Sequence, residues 1–109
     1  MPKISIIIRT KNEEDWIQHC LEMVFKQDYR DFEVILVDNN SSDQTVSVAK
    51  RHPLAKVINI DVFIPGDALN QGIRASVGEY IVCLSAHCVP KKTDWLGNLI
   101  ANFDGNPKV

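Results

Sequence analysis

Glycine is scarce: only five occur in 109 residues, and the first is Gly66. That excludes a G-x-G-x-x-G turn after the first apolar run, and no Walker-type loop is present either. No apolar run approaches the ~20 residues that cross a bilayer. The start, Met1-Pro2-Lys3-Ile4, lacks the apolar stretch and small-residue cleavage site of a secretory leader. Cysteine is limited to Cys20, Cys83 and Cys88, neither an even set nor a C-x-x-C pair. Cys20 on a helix face and Cys83 inside a strand are expected to be reduced core residues, which fits a cytosolic compartment. Positive charge is not in excess: 12 Lys and Arg stand against 14 Asp and Glu, a net charge of −2. The only basic clusters are the pairs Lys50-Arg51 and Lys91-Lys92, so no nucleic-acid partner is expected.

What is present is ordinary globular material, 45% hydrophobic and 24% charged, enough for one domain with a real core. Ile4-Ser5-Ile6-Ile7-Ile8 is a β-branched run of the kind buried on both faces of a parallel sheet. Asn12 is expected to cap a helix whose first turn carries Glu13, Glu14 and Asp15. Ile17, Cys20, Leu21, Val24 and Phe25 share one face of that helix. Glu33-Val34-Ile35-Leu36-Val37 is a second strand, and the polar cluster from Asp38 to Asp43 can cap a helix running from Thr45 to Arg51. His52-Pro53 ends that helix. Val57-Ile58-Asn59-Ile60 is a third strand. Pro65-Gly66-Asp67 opens a helix that points Ala68, Leu69, Ile73 and Ala75 at the core, and Gly78 stops it. Tyr80 to Leu84 is a fourth strand, and Leu96, Leu99, Ile100 and Phe103 mark a last helix. Alternating strands and helices predict right-handed βαβ units: an α/β fold with a Rossmann-like, mostly parallel sheet. Asn106-Pro107-Lys108-Val109 reads as a turn followed by the first residues of another strand, as though the fold were truncated there.

Polar residues collect after strands one, two and four: Thr10 to Glu13, Asp38 to Asp43, and Ser85 to His87. With the first strand central and the fourth on its far side from the second, all three groups share one crevice. That is the switch point where ligands bind in open α/β sheets. An aspartate at a strand end followed by Asn and Ser is also ordinary turn chemistry. His87-Cys88 is a poor nucleophile pair, since neighbours in extended chain point to opposite faces. Nor does their spacing match a zinc pattern. His19 and His52 are expected at the surface.

In combination these pieces resemble the amino-terminal part of an inverting glycosyltransferase of family 2, with the GT-A nucleotide-sugar fold. Ile6-Ile7-Ile8-Arg9-Thr10-Lys11-Asn12-Glu13 is similar to the family's first strand and nucleotide loop. Val37-Asp38-Asn39-Asn40-Ser41-Ser42-Asp43-Gln44-Thr45 is similar to its Val-Asp-Asp-Gly-Ser-x-Asp-Gly-Thr signature, departing at Asn39, Asn40 and Gln44. Ala68-Leu69-Asn70-Gln71-Gly72-Ile73 and Gly78-Glu79-Tyr80-Ile81 resemble the helix and lead-in that precede the family's metal motif.

The resemblance implies a nucleotide-sugar donor and a glycan or lipid-linked acceptor, in polysaccharide or cell-surface glycan synthesis at the inner face of a membrane. It implies that Asp38 accepts from the nucleobase, that Thr10 and Glu13 surround base and ribose, and that Asn12 and Ser85 belong to the nucleotide-sugar site. The family's Asp-x-Asp, which holds Mn²⁺ or Mg²⁺, falls on Ser85-Ala86-His87. His87 is then a single ligand for Mn²⁺ or a softer ion, or a cation acting on the diphosphate itself, or part of a motif that only binds. Ser-Ala-His followed by a proline resembles a subset with rhamnosyltransferase-like members, the basis for expecting a working enzyme and a deoxysugar donor. The family's catalytic base lies in the part corresponding to sequence after Val109. The chain alone is therefore expected not to transfer sugar, and its open sheet edge is expected to self-associate. The rival reading is a non-catalytic nucleotide-binding or scaffolding module on the same fold.

Overall fold

A computed structural model describes residues 3–60, 67–85 and 90–105. Within them the chain alternates β1 (Ile4–Thr10), α1 (Glu14–Phe25), β2 (Phe32–Asp38), α2 (Thr45–Ala49), β3 (Lys56–Asn59), α3 (Asp67–Ala75), β4 (Tyr80–Ser85) and α4 (Trp95–Gly105). The strands form one sheet in the order β3-β2-β1-β4, and every pairing is parallel. The chain steps outward from β1 to β3, then crosses back to place β4 on the opposite side of β1. The switch point therefore lies between β1 and β4.

Burial explains why β1 is central. Ile4, Ile6, Ile7 and Ile8 are all 0% exposed, so both faces of the strand are covered. One face joins Ile4, Ile6 and Ile8 to Val34 and Leu36 of β2. It packs Ile17, Cys20, Leu21 and Val24 of α1, Ala49 of α2, and Leu96 and Ile100 of α4. The other face is smaller: Ile7, Ile35, Val37 and Ile60, with Ile58 and Ala75 against them. Burying each such Ile or Val side chain contributes about 1.5–3 kcal/mol. Gly72 lets α3 sit close to that second face, since a Cβ there would lie 2.7 Å from Ile7 Cγ2.

The chain departs from the expected pattern at four places. Asn12 does not cap α1: Glu13 holds the N-cap position, and Asn12 adopts φ 51°. Cys83 is exposed, because α3 covers β1 and β2 on that face and leaves β4 open; Ile81, two residues earlier, is also exposed. Ile73 is 39% exposed because α3 approaches the sheet through Gly72 and Ala75. His52 is half-buried, stacked on Phe25 with ring centroids 5.8 Å apart, and its Nε2 lies 3.2 Å from Gln18 Oε1. Pro65, Gly66 and the segment 86–89, with His87 and Cys88, lie outside the described residues.

Candidate functional site

The first polar group beyond the buried isoleucines of β1 is Thr10, and its register partner on β2 is Asp38. Side chains at partnered positions of parallel strands share a face, and here the Thr10 hydroxyl donates to Asp38 Oδ1 at 2.6 Å. Asp38 is 1% exposed and Thr10 is 4% exposed. A buried carboxylate needs several donors to compensate for lost hydration. Ser41 supplies the rest, with its N–H on Oδ2 at 2.8 Å and its hydroxyl on Oδ1 at 2.6 Å. Asp38 thereby fixes the turn that follows β2.

The loops after β1 and β2, which are neighbours in the sheet, are joined directly to each other. Asn12 N–H donates to Ser41 Oγ at 2.9 Å, and Ser42 N–H donates to Asn12 Oδ1 at 2.8 Å. Asn12 can serve both because its φ of 51° turns the backbone, a region asparagine tolerates better than most residues. Asn40 does the same on the opposite loop at φ 48°, and its carbonyl accepts from Lys11 Nζ at 3.2 Å. Glu13 N–H donates to Thr45 Oγ1 at 2.7 Å, tying the start of α1 to that of α2. Asp43 accepts from Glu14 N–H and Thr45 N–H and from the Thr45 hydroxyl. Desolvation is the largest single influence and raises its pKa, but these hydrogen bonds together outweigh it and hold the carboxyl below its usual value of 3.8.

The third part is the end of β4. Ser85 is half-buried and pairs in register with Arg9. The chain downstream of the switch loop is anchored by Gln27, which is 1% exposed. Its Nε2 donates to Lys92 O at 2.8 Å and to Met23 O at 3.1 Å, while its Oε1 accepts from Leu96 N–H at 2.9 Å. Asp28 N–H adds a bond to Thr93 O at 2.8 Å. Upstream, Ser5 accepts from Gly78 N–H at 2.8 Å, and a Cβ at Gly78 would lie 2.6 Å from Ser5 N. Buried polar side chains thus hold both ends of β4: Ser5 of β1 at its start, and Gln27, after α1, in the segment that follows its end.

Thr10, Asn12, Glu13 and Asp38 thus come together as one constellation, with Ser85 across the switch point. Ser41 and Thr45, which bind Asp38 and Glu13, stand in the signature stretch without a role of their own, because serine and threonine after a strand read as turn chemistry. Gln27 gave no local signal, since two of its partners lie 65 and 69 residues away.

A parallel sheet with helices on both faces and polar strand ends at its switch point defines an open, Rossmann-like α/β domain. Comparison with known proteins makes the class specific. Residues 5–109 match the family model described as glycosyl transferase family 2, and the chain belongs to that family. A glucuronosyltransferase of Methanococcus voltae, named as acting on dolichyl N-acetyl-α-D-glucosaminyl phosphate, is 35% identical over 92% of this chain and 33% of its own length. A poly-β-1,6-N-acetyl-D-glucosamine synthase of Staphylococcus epidermidis is 31% identical over 97% of this chain and 26% of its own. Among solved structures, a Pyrobaculum calidifontis mannosyltransferase in complex with GDP-Man and Mn²⁺ superposes with a TM-score of 0.86 at 31% identity. That match covers 94% of this chain and 32% of the other. Staphylococcus aureus TarS in complex with UDP-GlcNAc gives 0.85 at 28% identity, covering 96% and 32%. The fold is that of the GT-A glycosyltransferases. The chain spans about a third of the length of these relatives.

Proposed function

We propose that the full-length protein transfers a sugar, with inversion, from a nucleotide-diphosphate donor to a glycan or lipid-linked acceptor in cell-surface glycan synthesis. This chain holds the donor's nucleotide. The observation that carries the reading is the Thr10–Asp38–Ser41 cluster at the carboxyl ends of β1 and β2, beside the switch point, in a chain of this family. Asp38 sets the shape of the base pocket and accepts from the nucleobase. Asn12 and Glu13 line the ribose side, and Ser85 meets the diphosphate. The lipid-linked acceptor named for the Methanococcus voltae relative supports a reaction at a membrane surface. We assign the acceptor's general base to the part of the relatives' length that this chain does not span, so the 109 residues bind donor without turning it over.

The Pyrobaculum calidifontis mannosyltransferase holds Mn²⁺ together with GDP-Man. Here the position of the family's Asp-x-Asp reads Ser85-Ala86-His87, so neither carboxylate is present. Among the described residues, no group of three or more His, Cys, Asp or Glu side chains is placed to hold a metal. A serine hydroxyl does not fit a hard Mg²⁺ ion, which takes carboxylate and water oxygens. We therefore assign the handling of diphosphate charge to the protein's own groups, with His87, two residues after Ser85 in sequence, as one contributor.

Calorimetry of the full-length protein with nucleoside diphosphates, with EDTA or Mn²⁺, tests the proposal. Binding weakened by Asp38→Ala or Thr10→Val supports it. Failure to bind any nucleoside diphosphate favours the scaffold reading.

A further inference from the structure

The six other residues of β1 are buried; Arg9 alone is exposed. It sits at the carboxyl end of the central strand, in register with Val37 on one side and Ser85 on the other. Strand alternation puts it on the face of Ile7, opposite to Thr10. A guanidinium beside a hydrophobic sheet ordinarily finds a carboxylate. Among the described residues, no hydrogen bond or ion pair engages that of Arg9. Its charge does reach the neighbouring edge strand: burial raises the Cys83 pKa, and Arg9 draws it partly back.

We propose that Arg9 binds the donor's diphosphate from the sheet side of the switch point, supplying there the positive charge that a carboxylate-held metal supplies in relatives. Two independent observations meet in this assignment. One is a cation at the carboxyl end of the central strand that no described residue pairs. The other is the loss of both carboxylates from the neighbouring strand end, with Ser85 beside Arg9 in register. An anion approaching the strand ends between β1 and β4 meets no carboxylate from Ser85 and a planar set of N–H donors on Arg9 that no described residue engages. Guanidinium matches two phosphate oxygens at once, so the contact orients the diphosphate as well as neutralising it. Leaving-group charge that builds as the sugar departs falls on the same oxygens.

The inference rests on the nucleotide-sugar reading, and the test separates the two. Calorimetry on the full-length protein in EDTA compares nucleoside diphosphates with monophosphates of the same base, for wild type, Arg9→Gln and Arg9→Lys. The expected result is a loss of about tenfold or more in diphosphate affinity for Arg9→Gln, close to the energy of one charge-assisted contact. Monophosphate binding should change less than about twofold, since the base pocket is untouched. Arg9→Lys should keep part of the affinity, because the charge survives without the fork. Arg9→Gln with wild-type diphosphate affinity overturns the role of Arg9 and leaves the nucleotide reading standing. So does equal loss for both ligands, which is what a structural defect produces, or wild-type diphosphate binding that requires Mn²⁺. A wild-type protein that binds no nucleotide overturns both.

Discussion

Replacing Gln27 with leucine probes how the far side of the β4 end is held. The side chains are close in size, so the core around Val24 and Leu96 stays filled and the change is mainly polar. Three hydrogen bonds disappear, to Met23 O, Lys92 O and from Leu96 N–H. Two of the orphaned groups, Lys92 O and Leu96 N–H, belong to the segment that follows the switch loop. Leaving a buried polar group without a partner costs roughly 1–3 kcal/mol. Two such groups, partly relieved by water at the exposed Lys92, give a loss of about 2–4 kcal/mol. Gln27→Glu should do no better: it keeps an acceptor for Leu96 but turns carboxylate oxygens toward two carbonyls. Urea denaturation measures the loss, and amide hydrogen exchange locates it, with faster exchange at Leu96 and neighbouring amides of α4. A Gln27→Leu protein within about 0.5 kcal/mol of wild type, with Leu96 still protected, would refute the reasoning.

Gly78→Ala drives a methyl to 2.6 Å from the Ser5 backbone nitrogen, so it should destabilise by more than the ~1–3 kcal/mol usual for overpacking; a thermal melt checks it. Asn12→Ala removes the acceptor of Ser42 N–H and replaces asparagine with a residue that tolerates φ 51° less well, for a loss of about 1–2 kcal/mol in urea titration. The depressed pKa of Asp43 contributes stability present above its unfolded value, 3.8, and lost as pH falls through the lower folded value. Asp43→Asn should flatten that acid limb of the pH–stability curve. Cys83, exposed, should react with a thiol reagent in the native protein, whereas Cys20, 0% exposed, should react only on unfolding; mass spectrometry of the labelled peptides distinguishes them.

The elements most legible in the sequence were those decided by local pattern. Ile4 to Ile8 and Val34 to Val37 are β-branched runs that only a doubly covered strand can bury, and they proved central. The crevice was legible too, because the strand order brings Thr10, Asp38 and Ser85 to one end of the sheet. What could not be read depended on distant partners or on which face a helix covers. Cys83 has the setting of a core residue until α3 is seen to stop short of β4. Asn12 followed by acidic residues looks like a cap, while its φ is set by bonds to Ser41 and Ser42, about 30 positions on. Arg9 passed as a strand terminus because its exposure shows only once its neighbours are known.

The central claim is that the carboxyl ends of β1, β2 and β4 hold a nucleoside diphosphate without carboxylate-bound metal. Calorimetry of the full-length protein with UDP and GDP in EDTA, for wild type and Asp38→Ala, tests it most directly. The account predicts binding of at least one of them by wild type in EDTA, weakened tenfold or more by the substitution, about 1.4 kcal/mol. Binding that vanishes in EDTA, or that is indifferent to Asp38, would contradict it.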